Sequence, residues 1–258
     1  MKIISWNVNG IRAWYKKGSF ESIKRYSPDF ICLQETKAHP DQLEKDFPEL
    51  FRPDGYEAFF DWSKVRKGYS GVVTYSKTKP VKVTIGLGDN EFDQEGRQVN
   101  LFFEKLVLIN CYFPNGGKSA DHFEFKLKYY QKFLSFIKKL ENDGYEVIAT
   151  GDFNVAHNEI DIARPKENEN SIGFLPIERK WVDSLEENNF IDCFRKMHPA
   201  KVQYSWWDMK TRARDRNIGW RIDYIFTSQK LFKKVMKSEI LDHVEGSDHC
   251  PVALDLDL

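Results

Sequence analysis

Carboxylate, amide and imidazole side chains recur in this sequence beside short apolar or β-prone runs. Asp152 and Asn154 follow one such run, Asp248 and His249 precede another, and Glu35 closes a third. Hydrolysis of a phosphodiester requires carboxylates that bind a hard cation, a base that activates water, and donors that hold the phosphate. Together these residues predict a metal-assisted phosphodiester hydrolase that uses an oxygen-liganded cation such as Mg²⁺.

Two further polar residues fit the same pattern. Asn7 closes the run Ile3–Trp6, and Asp223 lies in the segment 221–224. A histidine that stays protonated near neutral pH needs an acidic neighbour, and Asp223 is the best candidate partner for His249. Any one of these residues could be only a turn former or a cap. Five or six together favour a site. The other histidines show no recurring spacing and are interpreted as surface or packing residues: His39, His122, His157, His198 and His243.

Composition sets broad limits on the class of protein. The 258 residues are 41% hydrophobic and 15% aromatic, which is typical of a folded globular chain. The 39 basic residues balance the 39 acidic ones, so net charge neither indicates nor excludes nucleic acid. Four isolated cysteines without a CxxC pair disfavour zinc and favour buried thiols. The start Met1–Ile4 and the lack of a long apolar run predict a cytoplasmic protein that does not enter the membrane.

The pattern along the chain predicts many strands and fewer helices. Three helices are expected, over Ser19–Tyr26, Asp121–Leu140 and from Pro176 through Leu185. The segment Asp161–Ser171 is expected to be a long surface loop. Ten strands are expected: Ile3–Val8, Asp29–Leu33, Tyr56–Trp62, Gly71–Ser76, Val81–Ile85, Val99–Phe103, Val107–Asn110, Val147–Thr150, Ile222–Thr227 and Val252–Leu256. The expected fold is one α/β domain over residues 1–258, with two packed mixed β-sheets flanked by helices in four layers.

The chain resembles the AP endonucleases of the exonuclease III family, within the endonuclease/exonuclease/phosphatase superfamily. The resemblance extends over essentially the whole chain and rests on seven motifs in order: residues 5–13 (SWNVNGIRA), 33–37 (LQETK), 112–116 (YFPNG), 151–154 (GDFN), 173–176 (GFLP), 219–224 (GWRIDY) and 247–249 (SDH). The resemblance implies hydrolysis of the phosphodiester 5′ to an abasic site in double-stranded DNA, leaving a 3′-hydroxyl. It also implies Mg²⁺, or Mn²⁺ in its place, and an accompanying 3′–5′ exonuclease or 3′-phosphodiesterase activity.

The resemblance also implies a role for each matching residue. Asp152 matches the residue that activates water, Asn154 the amide that orients the water, and His249 the histidine that contacts the phosphate. The matches to metal ligands are Glu35, Asp248 and, where some members carry aspartate, Asn9. The remaining matches support the metal ligand or the phosphate: Asn7, Tyr112, Asn115 and the His249 partner Asp223.

Aromatic and basic residues alternate most densely in the segment 204–224. Arginine suits phosphate, and flat or apolar side chains suit an extrahelical sugar. Large aromatics there could equally be core residues. The resemblance implies that Trp206, Trp220 and Ile222 form the pocket for the baseless sugar. It also implies that four loop positions grip the bent duplex: Arg12, Lys17, Tyr69 and Lys118. The expected partner is abasic duplex DNA, bound by a monomer.

Two other functions remain open from the sequence. A relative in the same superfamily could use the same acids on a small phosphoester, such as an inositol phosphate or sphingolipid, or as a non-specific DNase. The segment 204–224 disfavours both. An inactive DNA-binding module would not need the full set of acids, amides and histidine.

Overall fold

The structure is a computed structural model that describes residues 1–258. Its fourteen strands are β1 (Lys2–Asn7), β2 (Phe30–Gln34), β3 (Glu57–Asp61), β4 (Val72–Ser76), β5 (Lys82–Ile85), β6 (Gln98–Phe102), β7 (Leu106–Tyr112), β8 (Glu146–Asp152), β9 (Phe190–Asp192), β10 (Trp206–Trp207), β11 (Gly219–Trp220), β12 (Asp223–Ser228), β13 (Val235–Ile240) and β14 (Val252–Leu256). Its nine α-helices are α1 (Ile11–Lys16), α2 (Ser19–Lys24), α3 (Pro40–Asp46), α4 (Pro48–Phe51), α5 (Ala120–Asn142), α6 (Pro165–Asn168), α7 (Pro176–Glu187), α8 (Cys193–Met197) and α9 (Gln229–Phe232).

Twelve strands form two six-stranded sheets. The first sheet has the order β13-β14-β1-β2-β4-β3, and the second has the order β5-β6-β7-β8-β12-β9. Both are mixed, because β1 and β2 run parallel in the first sheet and β7 and β8 run parallel in the second. The two remaining strands, β10 and β11, pair as a short antiparallel hairpin.

Three apolar clusters separate four layers. One cluster lies between the sheets and includes Ile3 and Leu254 of the first sheet and Leu108 and Ile148 of the second. A second joins the outer face of the first sheet to α1–α4. A third joins the outer face of the second sheet to α5 and α7. The alternation of side chains along each strand puts one face in each cluster. The predicted four-layer α/β sandwich is confirmed.

Most of the predicted elements agree with the structure to within a few residues. The long amphipathic helix is α5, capped by the Ser119 hydroxyl, which accepts from the His122 amide. The strands β9, β10, β11 and β13 and six short helices were not predicted, because elements of two to seven residues show too little periodicity. All four cysteines are buried and free, as expected. No helix is long and apolar enough to cross a membrane.

The expected surface loop over Asp161–Ser171 is partly wrong. Asp161 and Ile162 are buried, and Pro165–Asn168 form α6. The polar composition of the segment suggested exposure. Asp161 is instead buried because Arg221 and Arg195 both pair with its carboxylate.

Candidate active site

The predicted catalytic side chains meet where strands of both sheets end. In the second sheet, Asp152 is the register partner of Tyr112 on the parallel strand β7 and of Asp223 on the antiparallel strand β12. In the first sheet, β1 ends at Asn7 and β2 at Gln34, immediately before Glu35. Near these strand ends, the two sheets are joined by a buried hydrogen bond of 2.8 Å from Gln34 Nε2 to Asn110 Oδ1. One edge of the sandwich therefore collects polar groups from five strands or their ends.

Asp152 is at the centre of this group and is buried. Its Oδ2 accepts from Asn7 Nδ2 at 2.9 Å and from Asn154 Nδ2 at 3.2 Å. Burial raises the pKa of Asp152 to about 7, and the nearby Asp223 carboxylate adds to the shift. A carboxylate with such a pKa is suited to accept a proton near neutral pH. Gly151 precedes it with φ 143°, and a Cβ there would lie 1.8 Å from the Cys111 carbonyl oxygen, so only glycine fits this strand end.

His249 lies between two carboxylates. Its Nδ1 is 2.8 Å from Asp223 Oδ2, and its Nε2 is 3.9 Å from Asp152 Oδ2. Burial lowers the pKa of His249, but the Asp223 carboxylate outweighs burial and raises it to about 10. Ser205 donates to the same Asp223 oxygen at 2.6 Å. The three groups Asp152, Asp223 and His249 are close enough to hold an ion, but a protonated imidazole donates to oxygen and does not bind a metal.

Glu35 forms a second polar centre beside the first. Its Oε1 accepts from Tyr112 Oη at 2.6 Å and from Asn7 Nδ2 at 3.3 Å. Its Oε2 lies 2.6 Å from Lys37 Nζ. Burial raises the pKa of Glu35, but Lys37 and the hydrogen bond from Tyr112 outweigh it, so that the pKa is lowered. Asn7 therefore links the two centres, because its one amide nitrogen contacts Glu35 and Asp152.

The oxygens around Glu35 suit a hard cation. Lys37 Nζ, itself a cation, contacts both Glu35 Oε2 and Asn9 Oδ1. Asn9 Nδ2 donates to Asp248 Oδ1 at 3.0 Å, which joins the third predicted ligand to the cluster. Carboxylate and amide oxygens are the ligands that Mg²⁺ and Mn²⁺ take in proteins. The donor set at Glu35, Asp248 and Asn9 therefore fits the cation that the sequence predicts.

The backbone near these groups adopts an unusual conformation. Four of the ten non-glycine residues with positive φ are in or beside the site: Asn9 (45°), Glu35 (51°), Lys37 (51°) and Asn154 (53°). Such residues cost about 1 kcal/mol or more each and concentrate at functional sites. The left-handed turns at Glu35 and Lys37 place both side chains on one side of the segment after β2.

Two amide side chains continue the hydrogen-bond network of Asp152. Asn154 donates from Nδ2 to the Phe113 carbonyl oxygen at 2.9 Å, and its backbone nitrogen donates to Asp152 Oδ1 at 2.9 Å. Asn115 donates from Nδ2 to Asn154 Oδ1 at 3.1 Å. The predicted pair of amides is therefore continuous with the carboxylate of Asp152.

A small apolar cluster adjoins the polar centres. Trp206 and Trp220 are cross-strand partners in the β10–β11 hairpin, and their ring centroids are 6.0 Å apart with planes at 88°. Both rings pack against a cluster of four buried residues that includes Ile222. Trp206 also reaches the polar groups, since its Nε1 donates to Asp248 Oδ2 at 3.2 Å. Three buried members of this cluster were not predicted: Ala156, Ile162 and Phe174.

The residues predicted to grip DNA divide into two places. Lys118 Nζ lies 4.3 Å above the Tyr69 ring, and Arg97 donates both to Tyr69 Oη at 2.9 Å and to the Tyr112 carbonyl oxygen at 3.1 Å. Exposed Arg12 lines an open groove together with Lys16, Lys37 and Gly68, the residue before Tyr69. Lys17 is also exposed and donates to the Gly246 carbonyl oxygen.

Sequence reasoning missed two partners of site residues. Lys37 lies in the motif 33–37 but was assigned no role, although a cation two residues after a candidate metal ligand was a usable signal. Ser205, which donates to Asp223 at 2.6 Å, gave no signal, because a serine eighteen residues before its acceptor is unremarkable in sequence.

Comparison with known proteins identifies the family. A model of the Endonuclease/Exonuclease/phosphatase family matches residues 4–249. The chain belongs to this family. The exodeoxyribonuclease of Bacillus subtilis (strain 168) is 41% identical over 260 residues, which cover 100% of both chains. A DNA-(apurinic or apyrimidinic site) endonuclease of Dictyostelium discoideum is 37% identical and covers 100% of this chain and 71% of its own length. The structure of an AP endonuclease from Archaeoglobus fulgidus superposes with a TM-score of 0.87 at 29% identity, with 100% of each chain covered.

These matches confirm the resemblance derived from the seven motifs. These polar groups are held by five strands of two sheets, and fixed placement is what a proton-transfer geometry requires.

Proposed function

We propose that this protein is a DNA repair AP endonuclease that hydrolyses the phosphodiester 5′ to an abasic site in double-stranded DNA. The reaction depends on Mg²⁺, which Mn²⁺ can replace, and leaves a 3′-hydroxyl. The same site removes nucleotides or blocking groups from 3′ ends. Support for the DNA substrate comes from the relatives, whose names are exodeoxyribonuclease and apurinic or apyrimidinic endonuclease.

The observation that carries the proposal is the position of Trp206. Its indole nitrogen donates to Asp248 at 3.2 Å, its ring packs edge to face with Trp220, and the ring centroid is 6.4 Å from that of His249. An apolar cluster therefore directly adjoins the carboxylates and the histidine. A small apolar pocket accepts a sugar without a base and clashes with an intact nucleotide. A phosphatase for small soluble esters has no use for this arrangement.

In the proposed reaction Asp152 takes the proton of the attacking water. Asn7 and Asn154 hold its carboxylate by hydrogen bonds of 2.9 and 3.2 Å, so the oxygen that accepts the proton has a fixed direction. His249 donates to a phosphate oxygen while Asp223 balances its charge. Developing negative charge on the phosphate is then met by fixed donors. The water oxygen bonds to phosphorus as the bond between phosphorus and the 3′-oxygen breaks, and the departing 3′-oxygen takes a proton from solvent water.

Glu35, Asp248 and Asn9 are the proposed ligands of the metal. When bound, the divalent ion neutralises charge on the phosphate and on the leaving oxygen. Tyr112 and Asn7 orient the Glu35 carboxylate through hydrogen bonds of 2.6 and 3.3 Å. Asn115 and Asn154 present amide groups toward the phosphate side.

The test is cleavage of a duplex that carries a tetrahydrofuran abasic analogue. Asp152→Asn and Glu35→Ala should each lower kcat/KM at least about a hundredfold, equivalent to about 3 kcal/mol of transition-state stabilisation. Asp61→Asn is a matched control, since Asp61 is also a buried carboxylate with a raised pKa but lies on β3, outside the polar centres. Near-normal cleavage by both site variants would contradict the proposal.

A comparison of three substrates distinguishes the AP endonuclease from a non-specific DNase and from a small-molecule phosphatase. The wild-type protein with Mg²⁺ should cleave the abasic duplex much faster than an undamaged duplex or a small phosphomonoester, and EDTA should abolish cleavage. Faster turnover of the phosphomonoester would favour a small-molecule phosphatase. Equal cleavage of both duplexes would favour a non-specific DNase.

We also propose that one chain of one domain is the active unit and that it works in the cytoplasm. The proposed site residues run from Asn7 to His249 within one chain, and Met1 N donates to the Leu256 carbonyl oxygen, so both ends of the chain belong to one fold. The free buried cysteines suit a reducing compartment. Light scattering of the active protein should give the mass of a single chain.

A further inference from the structure

A buried ion pair joins two helices behind the site. Lys126 on α5 and Glu178 on α7 are both 0% exposed, and Lys126 Nζ lies 2.5 Å from Glu178 Oε1. Burying two charges costs solvation energy that packed apolar side chains would not lose, so such a pair is weak evidence for a purely stabilising role. The proton-transfer scheme above does not use either residue.

Lys126 contacts the backbone of both Asn115 and Asn154. Its Nζ donates to the Asn154 carbonyl oxygen at 2.8 Å and to the Asn115 carbonyl oxygen at 3.1 Å. The side chains of these same two residues form the amide pair that contacts Asp152. The Lys126 ammonium group therefore fixes the backbone of both members of the amide pair.

Glu178 contacts the backbone beside the apolar cluster. Its Oε2 accepts from the Gly173 amide at 2.7 Å and from the Leu175 amide at 3.1 Å. These residues flank Phe174 of the apolar cluster. Gly173 lies so close that a Cβ there would be 3.1 Å from the Trp220 ring and 3.2 Å from the Asn154 carbonyl oxygen. The turn at 173–175 thus touches both the apolar cluster and the amide side.

We propose that Lys126 and Glu178 are a positioning pair that sets the distance between the amides beside Asp152 and the apolar cluster around Trp220. The pair acts through the backbone at Asn115, Asn154 and Gly173 and touches no substrate. The inference rests on the proposed function, because only a substrate that fills both places requires a fixed distance between them.

The decisive variant replaces both charges. Lys126→Met together with Glu178→Gln removes the ion pair without leaving one buried charge unpaired, and the side-chain amide oxygen introduced at position 178 can still accept from the turn amides. We expect the double variant to melt near the wild-type temperature, with kcat on the abasic duplex at least tenfold lower and KM within threefold. The matched control is Glu124→Gln with Lys128→Met, which removes an exposed pair 2.9 Å apart on the same helix. It should leave kcat unchanged.

A second measurement needs no substrate. Hydrogen exchange of the DNA-free protein should quicken in residues 153–156 and 173–175 of the double variant and stay unchanged in the control. If the double variant does not fold, Glu178→Asp, which keeps both charges and shortens one side chain by a methylene group, should show the same pattern to a smaller degree.

Three outcomes would overturn the positioning role: kcat within twofold of wild type, a loss confined to KM, or unchanged exchange in both segments. A failure of the proposed function is recognised separately, because the wild-type protein would then not cleave the abasic duplex, whatever the exchange data show.

Discussion

Asp152 and Asp223 are cross-strand partners on β8 and β12, and both carboxyl groups are buried. Two like charges placed directly opposite each other repel. His249 relieves this repulsion, since its ring lies between them at 2.8 Å from Asp223 and 3.9 Å from Asp152. The chemistry proposed here depends on this row of acid, imidazole and acid.

The first prediction concerns the outer acid of that row. Asp223→Asn removes the charge that pairs with His249 and weakens the bond that fixes the ring. We expect kcat on the abasic duplex to fall about a hundredfold, with KM changed far less, because the loss is felt most where charge develops on the phosphate. Steady-state cleavage assays measure both constants.

A second histidine–aspartate pair provides the control. His157 Nε2 lies 2.7 Å from Asp183 Oδ1, outside the polar centres. Asp183→Asn should keep kcat within twofold of wild type. Equal losses in the two variants would mean that the effect at Asp223 is a general one on folding.

The second prediction concerns Lys118 above the Tyr69 ring. If Lys118 neutralises one phosphate, Lys118→Ala should weaken duplex binding and reduce the slope of log affinity against log salt by about 1. Binding titrations with EDTA, at several salt concentrations, measure this slope. The control is Lys105→Ala, since exposed Lys105 lies in the β6–β7 turn, at the opposite end of β7 from Tyr112. An unchanged slope in the Lys118 variant would exclude the phosphate contact.

The third prediction tests the apolar cluster. Trp220→Ala removes one side of the proposed sugar pocket, next to Trp206 and Ile222, and so enlarges the pocket. The preference for an abasic over an undamaged duplex should therefore fall at least tenfold. Trp220→Phe keeps a flat apolar ring and should retain most of the preference. The ratio of kcat/KM on the two duplexes is the measured quantity. A preference that survives the alanine variant would show that discrimination arises elsewhere.

The sequence indicated which polar groups would meet, because most of them lie at or next to the ends of strands. An apolar run that stops at Asp152 or at Glu35 is visible locally, and parallel or antiparallel pairing brings such ends to one edge of a sheet. The distances between these side chains could not be predicted from the sequence. Whether Lys37 meets Glu35 depends on two left-handed residues, and left-handed φ at a glutamate or lysine has no sequence signal.

Burial by partners distant in the chain was the other feature that the sequence could not predict. Asp161 lies in a segment of Asn, Glu and Lys whose composition indicated a surface loop, yet its carboxylate is paired with Arg221, sixty residues away. Likewise, the hairpin of Trp206 and Trp220 has two-residue strands, too short for an alternating pattern to be read. Partners so distant in sequence become visible only in the fold.

The fourth prediction uses this buried acid to test pH-dependent stability. Burial raises the pKa of Asp161, but Arg221 and Arg195 outweigh burial and lower it to about 2. Because the folded pKa lies below the unfolded value of 3.8, the ionised carboxylate stabilises the fold above about pH 4. That contribution is lost as the pH falls from about 4 to 2.

Asp161→Asn should therefore lower the free energy of unfolding at pH 7 by about 3 kcal/mol, since it removes one partner of a buried ion pair. The difference from wild type should shrink between pH 4 and pH 2, where the wild-type carboxyl group becomes neutral as well. Urea unfolding across this range measures both effects. Glu44→Gln is the control, because its exposed pair with Arg52 should contribute little at any pH. A difference between Asp161→Asn and wild type that stays constant down to pH 2 would mean that packing of the side chain, and not its charge, stabilises this region.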